Sequence, residues 1–200
     1  MRNKISLLLF LYQLPARPST LRVNVWRRLK GYGAIYLQNS ACVLPDRQQL
    51  AKAMTVLSED IVKGPNRGDA TLLHIHLTDP EEIKRIVAMF RMQSDEEYGE
   101  LLEHCNDFHA ELKKERKARH FTFAELEENE IEMNKIVGWV AKIGDRDFFG
   151  APAAPAARAA VAKCRPDFAQ FGHEVIAAQG MSPNRPPRRQ DVKALRKDRR

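Results

Sequence analysis

The chain has 200 residues, 44% of them hydrophobic, enough for one folded domain with appendages or for two small ones. No apolar run approaches the roughly 20 residues that span a bilayer, and Cys42, Cys105 and Cys164 are odd in number with no C-x-x-C pair, which argues against a disulfide framework or zinc site and for a reducing, cytoplasmic setting. The net charge of +7 conceals three blocks: residues 1–78 carry eleven Lys and Arg against four Asp and Glu, residues 79–150 eleven against eighteen, and residues 151–200 eleven against four, a pattern of parts with different tasks or of an acidic part masking a basic one.

The first 80 residues read as strand, helix, two strands, helix, strand. Residues 5–12 form a continuous apolar run, as a central strand does. Arg2 and Lys4 before it give a superficial likeness to a short signal peptide, but the length and flanks fit the strand better. A Pro-flanked turn, Leu14-Pro15-Ala16-Arg17-Pro18, leads into a basic amphipathic helix that Gly31 and Gly33 close. Strands at 34–38 and 41–44 follow, then a helix from Asp46, where Asp46 and Gln49 have capping-box spacing, then a strand at 70–77.

Further helix starts are marked by Asp79 with Pro80 and Glu82, by Ser94 with Glu97, and by Thr122 with Glu125, where Phe121 and Leu126 add a hydrophobic staple. Tyr98, Leu101, Cys105, Phe108 and Leu112 make one apolar stripe, and Leu126, Met133, Val137, Val140 and Ile143 a matching one. An antiparallel hairpin with its break near 117–122 is the expected packing. Asp145, Arg146 and Asp147 before Phe148-Phe149-Gly150 read as a helix-end network. An Ala-rich helix over about 152–178 should be kinked or split by Pro166. Beyond it the chain is Gly-, Pro- and Arg-rich, a basic disordered tail or linker. The expected fold class is therefore α+β: a ferredoxin-like βαββαβ unit over 1–92, a helical extension over 93–178, and a tail over 179–200.

Such a unit is expected to have one helix-covered sheet face and one open face. On the first helix, Leu21, Val25 and Leu29 define the buried side, and Arg27, Arg28 and Lys30 point to solvent. With Arg17 they could hold a phosphate backbone, or simply solubilise the helix. Arg22 falls inside the apolar arc, so it should snorkel or join a structural ion pair. If the aliphatic residues of the strands meet the helices, the opposite face gathers Phe10, Tyr12, Tyr36, Cys42, His74 and His76. A homodimer interface, an RNA-stacking platform and a metal or oxyanion site compete for that face. A dimer is favoured, because a large exposed aromatic surface finds a partner. The dipeptide-repeat aromatic signature of RNA-recognition domains is absent, and His74-x-His76 has no third ligand nearby, so no metal site is assigned. Cys105 and His109 lie one helical turn apart, but Cys105 reads as a core residue. His104, His120 and His173 have no constellation around them. Phosphate loops, nucleophile elbows and catalytic triads are not evident, so no catalytic residue and no cofactor is expected. In the tail, Arg188 and Arg189 are further candidates for nucleic-acid contact.

Leu11-Tyr12-Gln13-Leu14-Pro15-Ala16-Arg17-Pro18-Ser19, Val25-Trp26-Arg27-Arg28-Leu29-Lys30, Gly33-Ala34-Ile35-Tyr36-Leu37, Leu44-Pro45-Asp46, Asp95-Glu96-Glu97-Tyr98, the run Phe121-Thr122-Phe123-Ala124-Glu125-Leu126-Glu127-Glu128-Asn129, and Arg146-Asp147-Phe148-Phe149-Gly150 resemble the N-terminal domain of ChrB over about residues 5–175. ChrB proteins accompany bacterial chromate efflux transporters as chromate-responsive regulators. The resemblance implies a DNA-binding regulator of chromate resistance, with chromate as the candidate effector. In the family this domain usually precedes a C-terminal domain, so a separate C-terminal-domain protein is a candidate partner. An oxyanion-handling enzyme or sensor using the Tyr/His face, and a pure interaction module, are the alternatives. The βαββαβ unit is also similar to the middle domain of PaaX-type repressors and to small CRISPR-associated nucleases. The latter carry an aspartate after the first strand, where this chain has Tyr12-Gln13-Leu14 and so lacks a carboxylate to hold a cation.

Overall fold

A computed structural model describes residues 4–17, 19–64 and 68–180. It is α+β, with four strands and five helices among the described residues. They are β1 (Ile5–Gln13), α1 (Ser19–Gly31), β2 (Ile35–Gln38), β3 (Ala41–Pro45), α2 (Gln48–Lys63), β4 (Asp69–Leu77), α3 (Pro80–Ala118), α4 (Phe123–Arg146) and α5 (Ala154–Ala178). The chain divides into one unit formed by 1–97 and 143–152 and another formed by 98–142 and 153–200.

In the first unit the sheet order is β2-β3-β1-β4. β1 pairs antiparallel with both neighbours, Leu8 opposite Leu44 on one side and His74 on the other. The apolar run at 5–12 is thus an interior strand, as its composition requires.

Helices pack on both faces of the sheet, although Leu11 and Leu73 on the α3 side stay exposed. Leu8, Phe10, Cys42 and Leu44 point to one side, where Val25 and Leu29 of α1 and Met54, Leu57 and Ile61 of α2 pack on them. Leu7, Ile35 and Val43 point to the other, against Ile86 and Phe90 of α3 with Phe148 and Phe149 alongside. This corrects the sequence expectation twice. The aromatic set containing Phe10 and Cys42 is the one beneath α1 and α2, and much of the aliphatic set is covered as well. Alternation along a strand tells which residues share a face; it does not tell which cover each face receives. With Phe10 and Cys42 fully buried, this face is closed to a dimer partner or a stacked base.

Several helix ends also differ from expectation. Asp46 does not cap α2: the N-cap position is Arg47, with no side-chain cap, and the Asp46 carboxylate instead meets His74 Nδ1 at 2.8 Å. Ser94 starts no helix; it is buried within α3, which runs unbroken for 39 residues. Nor does Pro166 split α5, which continues from Ala154 to Ala178. Asp79 does cap α3, accepting the Glu81 N–H at 2.9 Å, and Thr122 Oγ1 accepts the Glu125 N–H at 3.2 Å. Asp147 accepts the Ala151 N–H, and Arg146 pairs with Glu97, the helix-end network expected at this point.

In the second unit the stripe Tyr98, Leu101, Cys105, Phe108 and Leu112 is buried throughout. On its part of α4 the buried residues are Asn129, Met133 and Ile136, so Ile136 takes the place expected for Val137, while Ile143 is buried in the first unit. Val161, Cys164, Phe171 and Val175 form the inner side of α5.

Gly33 tests the first unit's packing. It sits at φ +76°, and a Cβ there would lie 3.0 Å from both Arg146 Cβ and Phe148 Cε2. Gly33→Ala should therefore lower stability by about 1–3 kcal/mol, read as a fall in the urea midpoint at unchanged slope.

Candidate functional site

Three flanks of α1 have three different surroundings, and these sort the residues singled out in the sequence. The flank turned to α2 carries Arg28, whose Nη1 lies 2.6 Å from Asp60 Oδ2. This corrects the expectation of a free cation: the Asp60 carboxylate is the main influence holding the guanidinium charged. With 31% and 56% of the two side chains exposed, the pair is a surface one, worth at most about 1 kcal/mol.

The outer flank carries Thr20, Val23, Asn24 and Arg27 around a shallow groove that begins at Ser19. Arg27 is exposed and has no carboxylate partner among the described residues. Lys30 is exposed too, its ammonium 5.6 Å from the centre of the Trp26 ring. No acidic residue occurs in α1. Arg17 is exposed just before the helix. Arg188 and Arg189 lie outside the described residues.

The third flank leans over the end of the sheet. Arg22 and Trp26 project there beside Tyr12 of β1 and Tyr36 of β2, bounding a hollow of about 570 Å³ whose rim is completed by Asn39 and Ser40. The expected ion pair of Arg22 does not form: its side chain is exposed, and no carboxylate pairs with it among the described residues. Lying on the edge of the apolar arc, it faces the hollow instead of the core. Tyr12 donates to the Tyr36 hydroxyl at 3.3 Å, and burial raises both phenols above the ordinary tyrosine value. The β2–β3 turn is tied to β1 by the Tyr12 N–H, which donates to the Ser40 carbonyl at 3.0 Å. Ser40 sits at φ +71°, left-handed backbone in a residue that is not glycine.

The four residues expected to share an open sheet face are therefore separated. Tyr12 and Tyr36 line the hollow. His74 lies toward the other end of the sheet, bound to Asp46, and His76 Nδ1 is 3.0 Å from Ser6 Oγ. Asn39 and Ser40 escape a reading of residue types alone, although a two-residue polar turn between strands is the signal that could have found them.

In the second unit the histidines do have partners. His104 meets Glu132 and His120 meets Glu115. His109 Nδ1 lies 2.6 Å from Asp167, whose other oxygen takes Arg116 at 2.6 Å, and Arg116 Nε reaches Glu174 at 2.8 Å. On the far side of the ring, His109 Nε2 is 3.5 Å from Cys164 Sγ. The order Cys–His–Asp is that of a thiol nucleophile, but its environment is not. Cys164 is fully buried and pushed up to about 12, mainly by burial, with Cys105 beside it. A nucleophilic cysteine needs a thiolate and access; this one is held as a thiol inside a packed core.

The residues matching the family described as "Protein ChrB, N-terminal" are 22–182. The chain belongs to the ChrB N-terminal family. Membership associates it with chromate resistance. No curated protein and no solved structure matches this ChrB-family chain significantly. The matched segment opens at Arg22 and contains Trp26, Tyr36, Asn39 and Ser40, and Tyr12 lies before it. Among the described residues no helix is long and apolar enough to cross a membrane.

Asp167 gives a pH prediction. Burial opposes its ionisation, but hydrogen bonds from His109 and Arg116 outweigh that and hold its pKa below the ordinary 3.8. A depressed carboxylate contributes stability above its unfolded pKa and loses it as pH falls through the folded one. Asp167→Asn should cost on the order of 2 kcal/mol at pH 7, between the surface and buried limits. The variant and the parent should converge as pH falls through the depressed pKa of the folded carboxyl, as followed by urea unfolding across pH.

Proposed function

We propose that this ChrB-family chain is a non-enzymatic, DNA-binding regulator of chromate resistance that meets the phosphate backbone with the outer flank of α1. The observation that supports this most is the acid-free helix presenting Arg27 and Lys30 to solvent, with Arg17 at its entrance. Cations without carboxylate partners keep their full attraction for phosphate, whereas one already held by a carboxylate must give that up first. Arg28 is thus a secondary contributor. The sheet order, read from the other edge as β4-β1-β3-β2, supports a ferredoxin-like description of the first unit. A homodimer across the sheet is not part of the reading, because helices occupy both faces. A separate ChrB C-terminal-domain protein remains in it as a partner that could supply the rest of a sensor.

Fluorescence anisotropy with duplex DNA from a chromate-transporter promoter tests this. The protein should bind, and binding should weaken steeply as salt rises. Arg27→Gln with Lys30→Gln should reduce the magnitude of the log K against log salt slope by about 2, roughly one for each phosphate no longer neutralised. Arg28→Gln should change it less. No binding at low salt would remove the proposal.

A further inference from the structure

We infer that the outer edge of β4 is an interface on which a second copy of this chain pairs strand to strand, antiparallel and centred on Leu73. This pairing goes beyond the regulator reading and does not depend on it.

β4 is an edge strand, bonded to β1 and to no other strand among the described residues. Which of its backbone groups look outward follows from β1. The Tyr12 N–H donates to the Ser40 carbonyl, and the Ser6 carbonyl accepts the Asp46 N–H, just before and just after β3. The even-numbered residues of β1 therefore bond toward β3, and the odd-numbered ones toward Asp69, Thr71, Leu73, Ile75 and Leu77 of β4. Ala70, Leu72, His74 and His76 are left with their N–H and C=O groups turned away from the sheet. Among the described residues nothing bonds to those backbone groups.

Soluble proteins blunt such an edge with lysine, proline, a bulge or a very short strand. β4 uses none of these. It runs for nine residues in unbroken register with β1, contains no Lys, Arg or Pro, and has no buried residue. Leu73, at its midpoint, is 44% exposed.

β4 is complementary to itself, which selects a second copy as the occupant. About a two-fold axis at Leu73 the whole strand overlaps. The outward residues then fall in hydrogen-bonded positions, Ala70 with His76 and Leu72 with His74. Leu73 meets its counterpart at a non-hydrogen-bonded position, where side chains stand closest, with Ile75 opposite Thr71 on the same face. Asp69 falls opposite Leu77, so no two like charges face each other. The helix above agrees. α2 packs on β4 and carries Asp60 on its flank toward α1. By helical angle its opposite flank carries Ala51, Thr55, Ser58 and Val62, all uncharged, while Lys52, Glu59 and Lys63 lie on its outer face. A two-fold axis perpendicular to the sheet turns this uncharged flank of each copy toward its counterpart, and α1 stays outside the interface.

Sedimentation velocity of the full chain over a dilution series from millimolar to micromolar should show a monomer–dimer equilibrium. Hydrogen exchange supplies the matching local readout: the amides of Ala70, Leu72, His74 and His76 should be protected in the concentrated sample and fast in the dilute one. Both measurements use the unmodified chain, so they decide the matter even should a variant fail to fold. Leu73→Lys should weaken the dimer by about tenfold or more, and Leu73→Glu likewise, while mixing the two should restore it through opposite charges at the centre. Val56→Lys, at an exposed position on the outer face of α2, should leave the dimer unchanged. A chain monomeric at every concentration would overturn the inference, as would a dimer that leaves the four amides fast or is indifferent to Leu73→Lys. Protection of those amides in a monomer would overturn it too, since a segment of the same chain would then occupy the edge.

Discussion

β1 is the constraint on which the first unit depends. It is bonded on both edges, to β3 and β4, and its side chains alternate into two separate cores. Leu8 and Phe10 enter the one under α1 and α2; Leu7 enters the one under α3 and the Phe148-Phe149 segment. Each of these three side chains is fully buried, a contribution of about 1.5–3 kcal/mol apiece. Because helices pack on both faces, the middle of the sheet offers no free surface. What remains available is the outside of α1, the rim where α1 overhangs the strand ends, and the outer edge of β4.

That division gives α1 its character. Val25 and Leu29 fix its orientation against the sheet, and the direction of every other side chain then follows from its helical angle. Arg28 turns to α2 and is neutralised by Asp60; Arg27 and Lys30 turn outward; Arg22 and Trp26 turn toward the tyrosine pair. One helix without a single acid thus supplies a structural cation, a surface-facing pair and a cation over a hollow. The two surfaces adjoin through Trp26, which borders the hollow and carries the Lys30 ammonium over its ring.

Much of this was legible from residue types and spacing. The continuous apolar run of β1 declared an interior strand, and the stripe from Tyr98 to Leu112 declared a buried helix face. Asp79 and Thr122 declared their caps. The failures have physical reasons. A capping-box pattern is a local signal, and the one at Ser94 is overridden by a buried position within a continuous helix, while the Asp46 carboxylate is taken up by the His74 imidazole. The helical angle that puts Arg22 within the apolar arc does not reveal where the sheet stops. The grouping of Tyr12 with His74 follows from alternation, which fixes the face and says nothing about distance along it. His109 and Asp167 lie 58 residues apart, and no local pattern connects them.

The second unit is a different kind of construction, helices joined by charged pairs on the margins of an apolar core. Arg116 with Asp167 and Glu174, and His109 with Asp167, link α3 to α5 there, while the Cys164 thiol beside His109 is buried. For the first unit, the claim that both sheet faces are covered is tested most directly by native-state hydrogen exchange of the β1 amides. With helices on both faces, Leu7, Leu8, Leu9 and Phe10 should exchange among the slowest amides of the unit, at rates set by global unfolding. Exchange of these four as fast as that of an exposed strand edge would contradict the double cover.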